Sequence, residues 1–296
     1  MPWKSRAGWI IGRVAAIFVF ASSIAGCDVN TALKELAEAR QLAADLLVQF
    51  TKASNAANLA VMADTDETSV AFAHEAEQAT EAIQKDADRL SPILRQLGFW
   101  KELELLEEFG TRFAEYRALD RDILDLAVEN TNLKAQRLSF SAAQEAADAF
   151  RDSLESVAPL DAAKDTWRVR ALAATALASA REIQALQAPH IAEADDASMT
   201  TLEKRMATSE KAARSALQAL AGLIQPASRP HLAAATAALD RLMQINTQII
   251  GLSRRNSNVR SLALSLNQKR AVTASCEESL RALRDALSKR GFTGIR

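Results

Sequence analysis

The sequence predicts an all-α protein of two tandem up-down four-helix bundles, and its composition, its prolines and an internal repeat support this prediction. Alanine, leucine, glutamate, glutamine and arginine dominate, whereas glycine (9 residues) and proline (6 residues) are rare among the 296 residues. The prolines punctuate long segments in which apolar residues recur every three or four positions, the period of an amphipathic helix. Helices are predicted near residues 31–64, 67–96, 99–129, 132–157, 161–188, 197–225, 230–255 and 258–290.

A repeat with a spacing of 126 residues relates the first four predicted helices to the last four. The clearest match is the turn after the third helix of each set, where Asn130-Thr131-Asn132 is equivalent to Asn256-Ser257-Asn258. We therefore expect one bundle over residues 27–158 and a second over 159–296. A second arrangement, in which two stacked bundles share long helices, also fits the repeat.

Apolar stripes on the third and fourth helices of each repeat predict the bundle cores. The predicted core residues of the first repeat are Leu106, Phe109, Phe113, Tyr116, Ile123, Ala127, Phe140, Ala143, Ala147, Phe150, Leu154 and Val157. Those of the second are Leu232, Ala235, Leu239, Leu242 and Ile249. Cys276 is equivalent to Phe150, so we expect a buried thiol rather than a reactive one.

The two repeats carry opposite charge. Residues 28–158 contain 13 Lys and Arg against 25 Asp and Glu, a net charge of −12. Residues 159–296 contain 20 against 12, a net charge of +8. This contrast favours packing of the two bundles against each other, or a different partner for each.

The N-terminus resembles a bacterial lipoprotein leader. Basic residues precede an apolar run over 14–24, which is too short to span a bilayer but typical of a signal peptide, here predicted over residues 1–26. The next residues, Ile24-Ala25-Gly26-Cys27, resemble the lipobox, in which the cysteine is acylated. An uncleaved membrane anchor with a chance cysteine is the alternative.

The lipobox resemblance implies that fatty acids on Cys27, palmitate among them, hold the mature chain on a membrane. Asp28 resembles the signal that retains enterobacterial lipoproteins in the inner membrane. We therefore expect the protein on the periplasmic face of the inner membrane, with the outer membrane as the alternative.

Enzyme chemistry is not predicted, because no catalytic cluster, haem attachment motif or glycine-rich phosphate loop is present in the sequence. No cofactor is expected either. His74, Glu77 and Glu81 share one helical face and could bind a metal weakly, but a solvated charged face explains them better and we predict no metal site. Nucleic acid is not an expected partner.

The paired turns carry the candidate ligand site. Their asparagines would cap the following helices, or they would line a pocket between helices. Asp120 and Asn246, equivalent in the repeat, lie at the edge of the apolar stripe, where a polar side chain needs a partner. The candidate ligand-binding residues are Asn130, Asn132, Lys134, Asp120, Asn246, Asn256, Asn258 and Arg260. A basic cluster near the last turn is interpreted as solvated surface, or as a site for a small carboxylate or an acidic partner; it comprises Arg254, Arg255, Arg260, Lys269 and Arg270.

Residues 123–154 resemble the end of helix three, the turn and helix four of the four-helix-bundle sensor domain of methyl-accepting chemotaxis proteins, and residues 249–280 are a weaker second copy. The resemblance implies an extracytoplasmic domain that binds a small molecule, here an organic acid or an amino acid, between helices and forms a homodimer. No second apolar span follows, so we expect signalling through a separate membrane receptor or kinase. The alternative is a scaffolding lipoprotein that binds partner proteins without a ligand.

Overall fold

A computed structural model describes residues 8–157 and 166–291, with side chains from residue 30 onward. These residues form ten α-helices, one 3₁₀ turn (Pro226–Ser228) and one π-helical turn (Ser265–Lys269), without a strand. The all-α prediction is confirmed. The helices are α1 Gly8–Met62, α2 Asp66–Gln96, α3 Trp100–Glu129, α4 Thr131–Phe140, α5 Ala142–Val157, α6 Thr166–Ala192, α7 Asp196–Ala221, α8 Arg229–Arg255, α9 Ser257–Leu264 and α10 Arg270–Lys289.

Local sequence signals set several helix ends. The Thr65 hydroxyl accepts a hydrogen bond from the Thr68 N–H at the start of α2, and the Asp195 carboxylate accepts one from Ser198 N–H at 2.7 Å at the start of α7. Gly98, two residues after the end of α2, adopts a φ of 70°, a left-handed conformation that glycine adopts without steric cost. These signals separate α2 from α3 and α6 from α7.

The prolines do not all separate helices. Pro226 and Pro230 lie in the first turns of their helical segments, where a missing N–H costs no hydrogen bond. In contrast, Pro92 and Pro189 lie inside α2 and α6, so Pro189 does not mark the predicted boundary. Pro189 is close to the last turn of α6, which continues only to Ala192.

Both fourth helices are interrupted at the same position of the repeat. Ser141 (φ −114°, ψ −90°) separates α4 from α5, and the π-helical turn separates α9 from α10. Phe140 precedes the first interruption and is 71% exposed, so its predicted place in the core is wrong. Its repeat equivalent, Leu266, is 59% exposed. Because the helix breaks here, Phe140 and Leu266 face away from the core, whereas the apolar residues after the break enter it.

The structure divides into two compact units. Among the described residues, unit 1 contains 8–58, 72–121 and 267–291, and unit 2 contains 59–71, 122–157 and 166–266. The helices α1, α2 and α3 each contribute residues to both units.

An apolar core that draws on four helices organises unit 1. An aromatic group at its centre comprises Phe50, Phe109, Phe113 and Tyr116, whose nearest ring centroids are 4.9 Å apart. The helix α10 completes this core with the fully buried side chains of Cys276, Leu280, Leu283 and Leu287. Unit 1 therefore packs the first three helices of the first repeat around the fourth helix of the second repeat.

Polar contacts hold α10 at both ends of its core face. Arg290, directly after α10, forms two hydrogen bonds of 2.8 Å with the buried carboxylate of Glu102 in α3. The Arg112 guanidinium, also in α3, donates to the Ser275 carbonyl (3.0 Å) and to the Ser279 hydroxyl (2.9 Å). These contacts fix the register of α10 against α3.

The core of unit 2 is built from the helices that do not contribute to the core of unit 1. Its core residues come from α4 and α5, the fourth helix of the first repeat, and from α6, α7 and α8. Phe150, Leu154 and Val157 of α5 are buried there as predicted, together with the predicted α8 stripe that includes Leu239 and Leu242.

The observed units thus differ from the predicted bundles over 27–158 and 159–296, because the two repeats exchange their fourth helices. Charge supplies a physical reason. In unit 1 the α1–α3 segments carry −4 over their described side chains and residues 267–291 carry +3, so the unit totals −1. Unit 2 totals −2 over its described side chains. The exchange replaces two strongly charged bundles by two nearly neutral units. The predicted boundary at residue 158 lies outside the described residues.

The leader is covered only in part. Residues 1–7 lie outside the described residues, and α1 extends over residues 8–26 as backbone. The side chains of Cys27 and Asp28 are likewise outside the description, so lipidation and sorting stay predictions. Among the described residues, no helix combines the length and the apolar character that a membrane span requires.

Candidate functional site

The two repeated turns pack directly against each other within unit 2. Asn130 (φ 49°) and Asn256 (φ 53°) adopt the left-handed conformation at the starts of α4 and α9. The Thr131 N–H donates to the Ser257 hydroxyl oxygen at 3.0 Å, and the Ser257 N–H donates to the Thr131 hydroxyl oxygen at 3.0 Å. Each turn therefore caps the helix that follows the other turn.

The second residue pair repeats this exchange. The Asn132 N–H donates to Asn258 Oδ1 at 3.1 Å, and the Asn258 N–H donates to Asn132 Oδ1 at 3.2 Å. Helix capping was one interpretation of these asparagines, and the geometry shows capping between repeats rather than within each. Neither Asn130 nor Asn256 caps its own helix with its side chain.

The remaining amide groups extend the network. Asn132 Nδ2 donates to Asn256 Oδ1 (2.8 Å) and to the Ile191 carbonyl (2.7 Å). Asn258 Nδ2 donates to Asn130 Oδ1 at 2.9 Å. Asn130 Nδ2 makes no hydrogen bond to the described part of the chain. Most polar atoms that would contact a ligand here are therefore already paired with one another.

Basic residues flank the turns without converging on one point. Lys134 Nζ donates to the Glu129 carbonyl at 2.8 Å and lies 3.7 Å from Asp66. Arg255 forms two hydrogen bonds with the Glu129 carboxylate, and these bonds lower the pKa of that carboxyl. Arg260 is exposed.

Asp120 lies in unit 1 and forms a buried ion pair with Lys269. The two side chains are 5% and 2% exposed, and Lys269 Nζ also lies 5.1 Å from the centre of the Tyr116 ring. Burial raises the pKa of Asp120 and lowers the pKa of Lys269, because an interior position disfavours both charged forms; the mutual attraction offsets part of each shift. The lysine is the last residue of the π-helical turn.

Asn246, the repeat equivalent of Asp120, lies in unit 2 and has different partners. Its Oδ1 accepts a hydrogen bond from Gln187 Nε2 at 3.0 Å, and its Nδ2 lies 3.6 Å from the sulfur of Met206. The structure therefore brings together the asparagines of the turns but neither Asp120 nor Asn246 with them.

Arg254 of the basic cluster is also paired with neighbouring side chains. The Arg254 guanidinium donates to both oxygens of Glu203, at 2.7 and 3.0 Å, and to the Thr200 hydroxyl at 2.7 Å. Hydrogen bonds from Arg254 lower the pKa of Glu203 against the opposing effect of burial. Together with the ion pair of Lys269, this pairing leaves the cluster poorly suited to bind a carboxylate ligand.

Sequence reasoning missed a polar cluster next to Glu203. His190 is fully buried at the end of α6, and its ring nitrogens lie 2.9 Å from the Ser253 hydroxyl oxygen and 2.9 Å from Glu203. His190 and Ser253 are 63 residues apart on separate helices, and no spacing in the sequence signals their contact.

His74 and Cys276 are the remaining residues that were considered for metal binding and thiol chemistry. His74 is exposed and contacts Gln78 at 2.8 Å and Glu77 at 3.8 Å. No group of three metal-ligating side chains occurs within the described ranges. Burial raises the pKa of the Cys276 thiol to about 12. A thiol with so high a pKa holds little of the reactive thiolate near neutral pH.

Comparisons with protein families, with curated protein sequences and with solved structures found no match to this chain.

The reciprocal hydroxyl bonds give a first prediction. Replacing Thr131 by valine, or Ser257 by alanine, removes the acceptor of a buried N–H, so each variant is expected to lose about 1–3 kcal/mol of unfolding free energy. The double variant is expected to lose less than the sum, because either single variant already removes the hydrogen bond of 3.1 Å between the two hydroxyls. Urea denaturation measures these differences.

Thr247→Val is the matched control. This hydroxyl bonds only to the Met243 carbonyl on an exposed face of α8, so its loss is expected to change stability by less than about 0.5 kcal/mol. Single variants Thr131→Val and Ser257→Ala that cost no more than this control would show that the two turns do not cap each other.

Proposed function

We propose that this chain is a lipid-anchored protein of the periplasmic face of the inner membrane that acts as a sensor-like partner of a separate membrane receptor. The leader with Ile24-Ala25-Gly26-Cys27 supports the location. The resemblance of residues 123–154 to chemoreceptor sensor domains supports the role. The observation that carries most weight is the helical arrangement of each unit, in which segments of long helices surround one apolar core.

The turns are not favoured as the place where a small ligand binds. Because the asparagine amides and the Thr131 and Ser257 hydroxyls bond to one another, a ligand would have to displace these bonds and replace each of them. The geometry therefore favours contact with the receptor as the main interaction. An organic acid or amino acid as ligand remains part of the proposal and requires a direct test.

A thermal-shift screen of organic acids and amino acids on the soluble chain without its lipid tests the ligand. A compound at 100 times its Kd adds about 2.7 kcal/mol to the unfolding free energy and raises the Tm. Arg260→Ala would abolish the shift if the predicted site binds the compound, and Arg241→Ala, an exposed arginine elsewhere in unit 2, is the control. A complete screen without any shift would remove the ligand from the proposal.

A scaffolding lipoprotein is the second candidate, and the mutually bonded turns favour it, because they stabilise the fold and pair most of their polar groups with one another. Cross-linking of the lipidated protein in membranes, followed by identification of the partner, distinguishes the two. A receptor or kinase partner supports the sensor role. A stable partner without a signalling domain, together with a screen that finds no ligand, supports scaffolding.

A further inference from the structure

The exchange of the fourth helices requires that each core distinguishes between two similar helices. Several positions of these helices cannot supply the distinction, because the repeat places the same kind of residue in both. Leu280 and Leu154 are equivalent and both buried. At the end of α10, Arg290 is equivalent to Lys164, which is also basic. The distinction must therefore come from positions at which the two helices differ.

One buried position differs in a polar group. Lys269 pairs with Asp120 inside unit 1, where both side chains are almost fully buried. The equivalent of Lys269, 126 residues earlier, is Ala143, which is fully buried in the core of unit 2. The third helices differ at the partner position as well, because Asp120 is equivalent to Asn246.

A first repeat that closed on itself would bury an unpaired acid. In that arrangement α5 would take the place of α10, and Ala143 would take the place of Lys269. The carboxyl group of Asp120 would lie in the core without its partner. This loss is the same in kind for a charged and for a neutral pair, because in both forms the two groups bond to each other, and alanine has no polar side-chain atom.

A second repeat that closed on itself would bury an unpaired amine. Lys269 would take the place of Ala143, where the residue equivalent to Asp120 is Asn246. Asn246 is 1% exposed, accepts a hydrogen bond from Gln187 and contacts the sulfur of Met206, and all three side chains are uncharged. Lys269 would therefore lose the carboxyl partner that it has in unit 1.

From these two mismatches we infer that Asp120 and Lys269 form a recognition pair, which selects the exchanged arrangement of the fourth helices over two repeats that each close on themselves. Coiled coils use the same device, because a single buried asparagine or lysine specifies their register and oligomeric state. The recognition pair does not depend on the proposed sensor role. It decides which fourth helix enters unit 1, which is a different property from the stability that the pair contributes.

Removing both polar groups tests selection separately from stability. The pair-free variant Asp120→Leu, Lys269→Met is expected to fold, because it replaces a buried ion pair by two apolar side chains. A nitroxide on Ser288→Cys, in a soluble chain without other thiols, broadens the amide signals near Arg40 while α10 occupies unit 1. The wild type is expected to show only broadened signals there.

The pair-free variant is expected to show a second, sharp set of the same signals, from molecules in which α10 has left unit 1. Loss of the bias towards one arrangement would reduce the broadened set to about half of the total intensity. A pair-free variant that shows only the broadened set would overturn the inference.

Moving the lysine gives a second readout. The variant Ala143→Lys, Lys269→Ala offers Asp120 a partner on the fourth helix of its own repeat, so the sharp set of signals is expected to dominate. The matched control Glu277→Leu, Arg281→Met removes an ion pair within α10 that is not buried, and it should keep the wild-type pattern. Wild-type broadening in the moved-lysine variant would also contradict the recognition pair, and the pair-free variant decides alone if the moved lysine prevents folding.

Discussion

Replacing Lys269 by methionine is expected to lower the unfolding free energy by about 3–5 kcal/mol, because it leaves the buried Asp120 carboxylate without its partner. Asp120→Leu is expected to have a similar effect, since it leaves the ammonium of Lys269 buried alone. The combined variant Asp120→Leu, Lys269→Met is expected to restore the loss or exceed wild-type stability, because two apolar side chains carry no desolvation cost. Chemical denaturation of the four proteins measures this cycle.

The pH dependence of Lys269→Met has a defined sign. The pKa of Asp120 is raised already in the presence of Lys269, so its charged form is the disfavoured one in the folded state. The stability of Lys269→Met should therefore increase as the pH falls through the raised pKa and decrease as the pH rises through it. The exposed pair of Arg255 with Glu129 is the control, where Arg255→Ala should cost no more than about 1 kcal/mol. A cycle in which both single variants cost as little as the control would contradict a buried pair.

Cutting the chain within residues 158–165 is expected to give two halves, each of which folds only in the presence of the other. Without α10, unit 1 loses Leu280, Leu283 and Leu287 from its core. Removal of one buried leucine side chain alone costs about 2–5 kcal/mol, so the combined loss is comparable to the whole stability of a domain, about 5–15 kcal/mol. Unit 2 loses α5 in the same way. Circular dichroism melts of each half and of their mixture measure the effect.

A mixture of the halves is expected to form a 1:1 complex with a cooperative melt, and the opposite charges of the halves, −12 and +8 by sequence, favour this association. The intact chain is the reference. Two halves that melt independently, each with the Tm of the intact chain and without association, would show that each repeat closes on itself.

The helices and their buried faces followed from the sequence. Apolar spacing predicted the α3 and α8 stripes, in which residues such as Phe109 and Leu239 are buried. The exception, Phe140, fails because a stripe assumes an unbroken helix, and the interruption at Ser141 changes the phase of the stripe. No proline or glycine marks that interruption.

The exchange of the fourth helices did not follow, because the apolar face of α10 would suit either core. The charge of α10 distinguishes between the two cores. The basic fourth helix of the second repeat complements the acidic first three helices of the first, as the pair of Lys269 with Asp120 shows locally. The sequence showed that the two repeats carry opposite net charge. A net charge predicts that the repeats attract each other, but it does not say which helix moves from one repeat to the core of the other.

The residue types of the candidate site could be predicted from the sequence, but not which of these residues bond to each other. The sequence identified Asn132 and Asn258 as equivalent polar residues at helix starts, for which capping was one interpretation. Each cap comes from the other repeat, 126 residues away, and such a distance is not visible in a local capping pattern. The exchange also brings Lys269 of the second repeat to Asp120 of the first, whereas Asn246, the equivalent of Asp120, bonds to Gln187 of its own repeat.

Paramagnetic NMR tests the exchange of the fourth helices most directly. A nitroxide on Ser288→Cys, an exposed position of α10, in a soluble chain that lacks Cys27 and carries Cys276→Ala, reports which helices surround α10. The exchange predicts broadening of amides near Arg40, whose side chain donates to the Leu287 carbonyl at 3.0 Å. Broadening of the α6 amides with sharp signals around Arg40 would contradict it.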